Sequence, residues 1–361
     1  MEKILYEYWF ASLQGISNKK KIALIETLQT AENIYKEKNL KKYQYLRLSD
    51  KDIMTIASSI NSWQIEEEYE RLISKKISFV TWNSHAYPKR LKPYQDSPYT
   101  LFYKGKLPDE NRVSVAIVGA RRCSPYGEKY AMEYAELMSR YGVQVISGLA
   151  CGIDGLAQRA TIQAGGTSYG ILGCGVDICY PKEHKGLYSD LMEVGGVISE
   201  FPLGIPPLAR NFPQRNRIIS GLADIVLVIE AKERSGSLIT ADLALEQGKD
   251  VYALPGPVNS ELSRGCNHLI KQGAGILDNP EELLEELGIF MDEKCKKCDE
   301  NKIILESDEK KVYSCLGLHS VHIDGILRQI DMSISELTNI LVSLELKGYI
   351  KEISKNYYVR T

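Results

Sequence analysis

From residue 112 to residue 288 the chain alternates short apolar runs with amphipathic stretches of helical period, with few breaks. The apolar runs predict strands at 113–118, 143–147, 168–172, 196–199, 225–230 and 250–254. Helices are expected over 125–141, 153–164, 183–194, 213–222, 238–247, 266–273 and 280–287. Strands that are apolar throughout are buried on both faces, and parallel neighbours need a crossover, usually a helix. The pattern therefore narrows the fold to the α/β class: a Rossmann-like, doubly wound, mostly parallel sheet with helices on both sides. Gly142, Gly165, Gly195 and Gly248 follow four of the helices and mark their ends.

The flanks read differently. Residues 1–75 carry apolar side chains at helical spacing: Tyr6, Phe10 and Leu13, then Ile22, Leu24, Ile25 and Leu28. Between them, Leu13-Gln-Gly-Ile-Ser-Asn-Lys-Lys-Lys21 places a glycine-isoleucine turn before a run of lysines. It is similar to a helix-hairpin-helix, with Ser17 where that motif usually has a second glycine; a plain helical packing unit of SAM type fits as well. Residues 76–111 read as a connecting extension of the core, with one strand at 77–82 and turns at Tyr87-Pro88 and Ser97-Pro98.

Residues 289–308 read as a charged linker. Residues 309–361 read as three helices and a hairpin, a winged-helix-like arrangement. In it His322-Ile-Asp324 caps the second helix, Ser333 or Ser335 opens the third, and strands follow at 349–353 and 357–360. The third helix exposes few cations, Lys347 mainly, so duplex readout is not expected there. Cys295-Lys-Lys-Cys298 could be combined with Cys315, His319 and His322 into a zinc site. The second C-x-x-C is absent and the later residues fall in a helical unit, so no metal is expected.

Composition decides little. A chain of 361 residues suits two or three domains. It has no apolar run long enough for a membrane span and no leader-like N-terminus, so a cytoplasmic location is expected. Eight scattered cysteines fit a reducing compartment. The net charge of −2 looks unpromising for nucleic acid, but residues 1–111 carry 18 basic and 14 acidic side chains, a net of +4. Placement matters more than the total.

In an open parallel sheet, ligands bind outside the carboxyl ends of the strands. The first core strand runs through Gly119 into Arg121, Arg122 and Ser124-Pro125, a good start for a helix. A helix N-terminus there predicts an anion site. One glycine and two arginines, in place of G-x-G-x-x-G, predict an anion larger or more exposed than a wrapped dinucleotide. Arg122 is the weaker of the two.

The second strand delivers Ser147 and Gly148, with Asp154 beyond. The third delivers Asp177, Tyr180 and Lys182. The fourth delivers Glu200, Phe201, Phe212, Arg215, Asn216 and Arg217. The fifth delivers Glu230, Ser235, Gly236 and Ser237. Cations interleaved with aromatics and small hydroxyls make a groove suited to single-stranded nucleic acid, because every base can stack and every nucleotide carries a phosphate. The strand-end carboxylates Asp154, Asp177, Glu200 and Glu230 could work as acids or bases; pairing with the arginines is the preferred reading. The chain has neither a P-loop nor a nucleophile elbow, and only His184 and His268 lie in the core. No catalytic residue and no cofactor are expected.

Several of these stretches together resemble the DprA (Smf) family of DNA-processing proteins. They are Val118-Gly-Ala-Arg121, Ser147-Gly-Leu-Ala-Cys-Gly-Ile-Asp154, Gly173-Cys-Gly-Val-Asp177, Tyr180-Pro-Lys182, Phe212-Pro-Gln-Arg-Asn-Arg-Ile-Ile-Ser220, Arg234-Ser-Gly-Ser-Leu-Ile-Thr-Ala241 and Ala253-Leu-Pro-Gly256. The flanking units resemble those of the longer members. One departure is Gln158, where the family often has histidine; it reads as helix surface. The resemblance implies single-stranded DNA binding without sequence preference, a homodimer, protection of incoming DNA, and loading of RecA during natural transformation, with single-stranded-DNA-binding protein a further partner. On matching positions it points to Arg121, Lys182 and Arg217. The segment 266–274 is a candidate dimer surface. A different class, a Rossmann-like enzyme that binds or cleaves nucleoside monophosphates, is faintly suggested by Ser235-Gly-Ser-Leu-Ile-Thr240 with Asp242.

Overall fold

The computed structural model describes residues 2–62, 64–289, 307–316, 320–330 and 332–360. Five helices come first: α1 (Glu2–Ser12), α2 (Asn18–Leu28), α3 (Ala31–Lys36), α4 (Asp50–Ser62) and α5 (Ile65–Ser74). Strands β1 (Ser78–Thr81) and β2 (Thr100–Gly105) lead into the alternating region. That region runs β3 (Ser114–Val118), α6 (Pro125–Arg140), β4 (Gln144–Ser147), α7 (Ile153–Gln163), β5 (Ser168–Ile171), α8 (Lys185–Val194) and β6 (Gly196–Ser199). It continues with α9 (Asn211–Leu222), β7 (Ile225–Val228), α10 (Gly236–Glu246), β8 (Asp250–Ala253), α11 (Glu261–Lys271), β9 (Gly275–Ile276) and α12 (Pro280–Glu286).

The nine strands form one sheet in the order β1-β2-β6-β5-β4-β3-β7-β8-β9. From β6 to β9 all neighbours are parallel; Ala116 of β3, for example, lies between Ile146 of β4 and Val226 of β7. The six expected core strands all form. Two strands of this sheet were not foreseen: β9, a two-residue parallel edge beside β8, and β2, which pairs antiparallel with β6, Phe102 opposite Ser199, and carries β1 on its outer edge. The β2 sequence follows a Ser-Pro turn and holds a lysine and a glycine, which hides a strand that tertiary pairing imposes.

Side chains of β3 alternate between two cores. Ala116 and Val118 face Ile218, Ile219, Leu222, Ala241 and Ala244 of α9 and α10. Val115 and Ile117 face Tyr134, Met138, Ala157 and Ala160 of α6 and α7. Helix α7 is therefore wedged against the sheet beside α6. Gln158 corrects the expectation of a surface position: it is 0% exposed, with its amide nitrogen 3.4 Å from Ser168 Oγ. Its face of α7 is the one that also buries Asp154, Ala157 and Thr161.

The chain leaves β3 toward β4 on one side and returns with β7 on the other. That reversal opens a crevice outside the carboxyl ends of β3 and β7, the topological switch point of such sheets. The N-terminal helices pack on the antiparallel edge. Trp9, Phe10, Leu24 and Ile34 share a core with Tyr99, and Tyr8 meets Phe79 and Phe102.

The tail comprises α13 (Ser307–Cys315), β10 (Val321–His322), α14 (Ile323–Leu327), α15 (Ile334–Leu346), β11 (Ile350–Ser354) and β12 (Tyr357–Arg360). Its small sheet has the order β10-β12-β11, and Val312, Ile326, Leu337, Leu341 and Leu344 form its own core. This is a winged helix. Ser333 caps α15 in a reciprocal pair with Glu336. Lys347 is held 2.6 Å from Glu309. The expected linker, including Cys295 and Cys298, lies almost wholly outside the described residues.

Candidate nucleic-acid interface

The approach of α7 explains the single glycine after β3. A Cβ on Gly119 would lie 2.7 Å from the Ile153 side chain. Ser124 caps α6 as expected, accepting from the Gly127 N–H at 3.2 Å. The N-terminus of α6, however, is already occupied. Glu230, from the end of β7, accepts the Ser124 N–H at 2.9 Å and the Ser124 hydroxyl at 2.5 Å. A Cβ on Gly127 would meet its carboxylate at 2.5 Å. Burial raises the Glu230 pKa, and the two Ser124 donors oppose that rise. The anion site predicted at this helix is thus filled by the protein's own carboxylate.

Across the crevice, α10 offers a helix N-terminus without such a plug. Ser235 caps it, its hydroxyl accepting from the Ser237 N–H at 3.3 Å and lying 2.6 Å from Ser237 Oγ. Its first turn holds no acidic residue. A Cβ on Gly236 would meet no heavy atom within 4 Å. The opening here is a cleft of about 510 Å³, lined by Gly119, Arg121, Tyr180, Phe212, Arg215, Asn216 and the Ser235–Ser237 turn.

Phe212, in the first turn of α9, organises the cleft. The Arg121 and Arg215 guanidinium carbons lie 5.8 and 5.9 Å from its ring centroid, within cation–π range. The Tyr180 ring lies 5.5 Å away, tilted by 38°, and Tyr180 is 40% exposed. Arg121 is exposed and has no carboxylate partner among the described residues. Asn216 donates to the Gly236 carbonyl at 3.2 Å and so ties α9 to the α10 turn.

Arg215 belongs to the floor of the cleft. It is 5% exposed and donates to the Gly148 carbonyl at 2.8 Å and to the Ile171 carbonyl. It also faces Asp154, which accepts the Gly148 N–H at 3.0 Å. Burial pushes the Asp154 carboxyl up and the Arg215 guanidinium down, and their mutual attraction resists both. A Cβ on Gly148 would strike both groups at 2.7 Å, so Gly148 is the gap through which this pair closes. Ser147 is fully buried, its hydroxyl donating to the Ile117 carbonyl.

Three other expected residues stand apart. Arg122 is exposed but does not line the cleft, and Lys182 is exposed in a short turn just beyond Tyr180. Arg217 lies on the other side of α9, only 7% exposed. Its two terminal nitrogens meet the two oxygens of Glu200 at 3.0 and 2.7 Å, and Nε meets Asp96 at 3.2 Å. The expectation that Arg215 and Arg217 act as free groove cations therefore meets a structure in which both are buried and paired. The expectation that strand-end carboxylates hold arginines fits Asp154 and Glu200. Asp177 instead holds Lys75 at 2.7 Å, and Glu230 plugs α6. Sequence reasoning missed Asp96 and the Glu230 plug, because neither contact has a local spacing signature.

Among the described residues no group of three or more histidines, cysteines or carboxylates could hold a metal, and no helix is long and apolar enough to cross a membrane.

Fold and crevice together define a class: Rossmann-like α/β proteins whose switch-point cleft is open, cationic and aromatic, flanked by helical and winged-helix units. Within it, the chain belongs to the DNA recombination-mediator protein A (DprA/Smf) family, whose profile matches residues 78–288, and the DprA winged helix domain matches residues 299–354. The chain is 40% identical over 283 residues to protein Smf of Escherichia coli K12, covering 76% of this chain and 75% of that one. It is 37% identical to the DNA processing protein DprA of Streptococcus pneumoniae R6, covering 78% and 97%. The X-ray structure of DprA from Streptococcus pneumoniae superposes with a TM-score of 0.68 at 33% identity, over 78% of this chain and 97% of that one. DNA processing protein A from Helicobacter pylori, described for its single-stranded DNA binding mode, gives 0.53 at 27% identity, over 59% and 97%.

Proposed function

We propose that the chain binds single-stranded DNA without sequence preference, through the cleft around Phe212. One observation carries this reading: Arg121, in no ion pair among the described residues, and the accessible ring of Tyr180 flank Phe212 and face the unplugged N-terminus of α10. Backbone phosphate sits at the Ser235–Ser237 turn and Arg121, with Lys182 and Arg122 receiving the strand on either side. Bases stack on Tyr180 and Phe212, worth about 1–3 kcal/mol each. Contacts of these kinds ignore base identity. Arg215, Asn216, Ser147, Gly148 and Arg217 hold the walls in shape. The single-stranded DNA binding described for the Helicobacter pylori relative supports the reading.

Within the family's recombination role, the protein shields incoming single strands and loads RecA on them. It works in the cytoplasm as a homodimer, with single-stranded-DNA-binding protein as a further partner, and it turns over no substrate. The dimer surface is the α10–α11 side, where 266–274 lies beside Ile239 and the 86% exposed Val258. The test is an oligo-dT titration at several salt concentrations. Arg121→Ala should weaken binding and flatten the salt dependence by about 0.7 log units per log salt, one phosphate's worth. Unchanged affinity in Arg121→Ala and Phe212→Ala rejects the cleft, and release of free base from AMP or CMP that is lost in Asp242→Ala restores the enzyme reading.

A further inference from the structure

A second cleft lies between the N-terminal helices and the core, about 1020 Å³ against 510 Å³ for the first. Pro213, in the first turn of α9, lines both. The two clefts are thus separated by a single helical turn, and Phe212 and Pro213 stand on the ridge between them.

One wall of the second cleft is the turn from Leu13 to Asn18; the other is the segment from Phe201 to Arg210. Its apolar surface comes from Phe201, Pro202, Ile205 and Leu208, the last 37% exposed. Its cations outnumber its carboxylates even without the buried Lys21: Lys19, Arg210 and Arg217 against Asp96 and Glu200. Both carboxylates are already engaged by Arg217. Lys19 and Arg210, one on each wall, are exposed, and neither side chain makes an ion pair or hydrogen bond among the described residues. The walls are tied to each other. The Asn18 side-chain amide donates to Glu200 at 3.1 Å, and its Oδ1 accepts the Tyr99 N–H at 3.2 Å. Lys21 braces the turn from beneath, its ammonium donating to the Ala11 and Leu13 carbonyls at 3.1 and 2.6 Å.

A cleft this wide and open is ill suited to enclosing a small cofactor. It shares two features with the first: an aromatic side chain, here Phe201, and exposed cations without a carboxylate partner among the described residues. We propose that it is the continuation of the same single-strand track, so that one DNA strand crosses the α9 ridge and occupies both clefts, with Lys19 and Arg210 taking phosphates beyond Pro213. The N-terminal helices are then part of the DNA site. This rests on the reading of the first cleft given above.

The two readings separate on a ladder of oligo-dT lengths titrated by fluorescence anisotropy against the full chain. Wild-type affinity should rise in two stages, as the first and then the second cleft fills. Lys19→Ala/Arg210→Ala should leave the shortest binding rungs unchanged. On the long rungs it should lose about 3- to 10-fold in affinity and about 1.4 log units of salt slope, two phosphates at roughly 0.7 each for single strands. Long-rung affinity equal to wild type, or an equal loss at every length, overturns the second cleft. Short rungs that bind Arg121→Ala as well as wild type overturn the first cleft instead.

Discussion

At the residue scale, arginines that look alike in sequence have opposite fates. Arg121 leaves a strand end, is exposed and makes no ion pair among the described residues. Arg217 lies five residues after Phe212, about 140° further round α9, so it points to the other face and is held by Glu200 and Asp96. Removing one partner of such a buried pair costs about 3–5 kcal/mol, so an alanine at 217 reports on the fold before it reports on DNA. Lys21 is the most telling titratable residue. Burial pushes its pKa down to about 7, from 10.5. The folded state therefore gives up this proton near pH 7, whereas the unfolded chain keeps it to about 10.5. Between those limits the unfolded state binds more protons, so this group's contribution makes stability rise with pH, by up to about 1.4 kcal/mol per unit. Urea melts of wild type and Lys21→Met from pH 6 to 9 should show the difference between them shift in wild type's favour as pH rises above about 7. Parallel curves across that range would mean the amine stays charged against its two carbonyls.

At the element scale, the two helices flanking the switch point divide the work. Helix α6 opens with Ser124-Pro125, the stronger start signal, and is closed to ligands by Glu230. Helix α10 opens with Ser235-Gly236 and faces the cleft. Alanine at Gly236 tests that division. Its Cβ meets nothing in the protein, and alanine lowers the unfolded chain's entropy, so thermal stability should hold or rise by about 0.4–1 kcal/mol. Oligo-dT affinity should nevertheless fall several-fold, because the new methyl enters the cleft beside the helix amides. Unchanged affinity would move the phosphate elsewhere.

The contrast also marks the limit of sequence reading. Six of the seven parallel strands and their helices were legible because period and glycine stops are local signals. Phe212, Arg121 and Asn216 were legible because they follow strand ends, where this topology puts ligands. The Glu230 plug, the Asp96–Arg217 contact and the burial of Gln158 were not, since each depends on a neighbour that only the packed sheet brings close. Strand β2 was hidden for the same reason: its partner, β6, is more than 90 residues away.

At the scale of the whole molecule, the flanking units are not equivalent. The N-terminal helices share a hydrophobic core with Tyr99 and contribute a wall to the second cleft, so they cannot be removed without exposing Tyr99, Phe79, Phe102 and the strand edge. The winged helix has a core of its own. It meets the α/β unit near Ser124 and Glu230, with Lys351 3.7 Å from Glu128, on the plugged side of the switch point. Its third helix ends in a lysine already engaged by Glu309. A chain ending at residue 288 should therefore keep oligo-dT affinity within about 2-fold of the full chain, with the same salt slope, since that slope counts phosphate contacts and none is assigned to the tail. A shallower slope in the shortened chain would put phosphate contacts on the winged helix. An equal slope with weaker binding would mean that the tail acts through the shape of the core, by bracing the Ser124–Glu230 corner that fixes β7 and the start of the α10 turn.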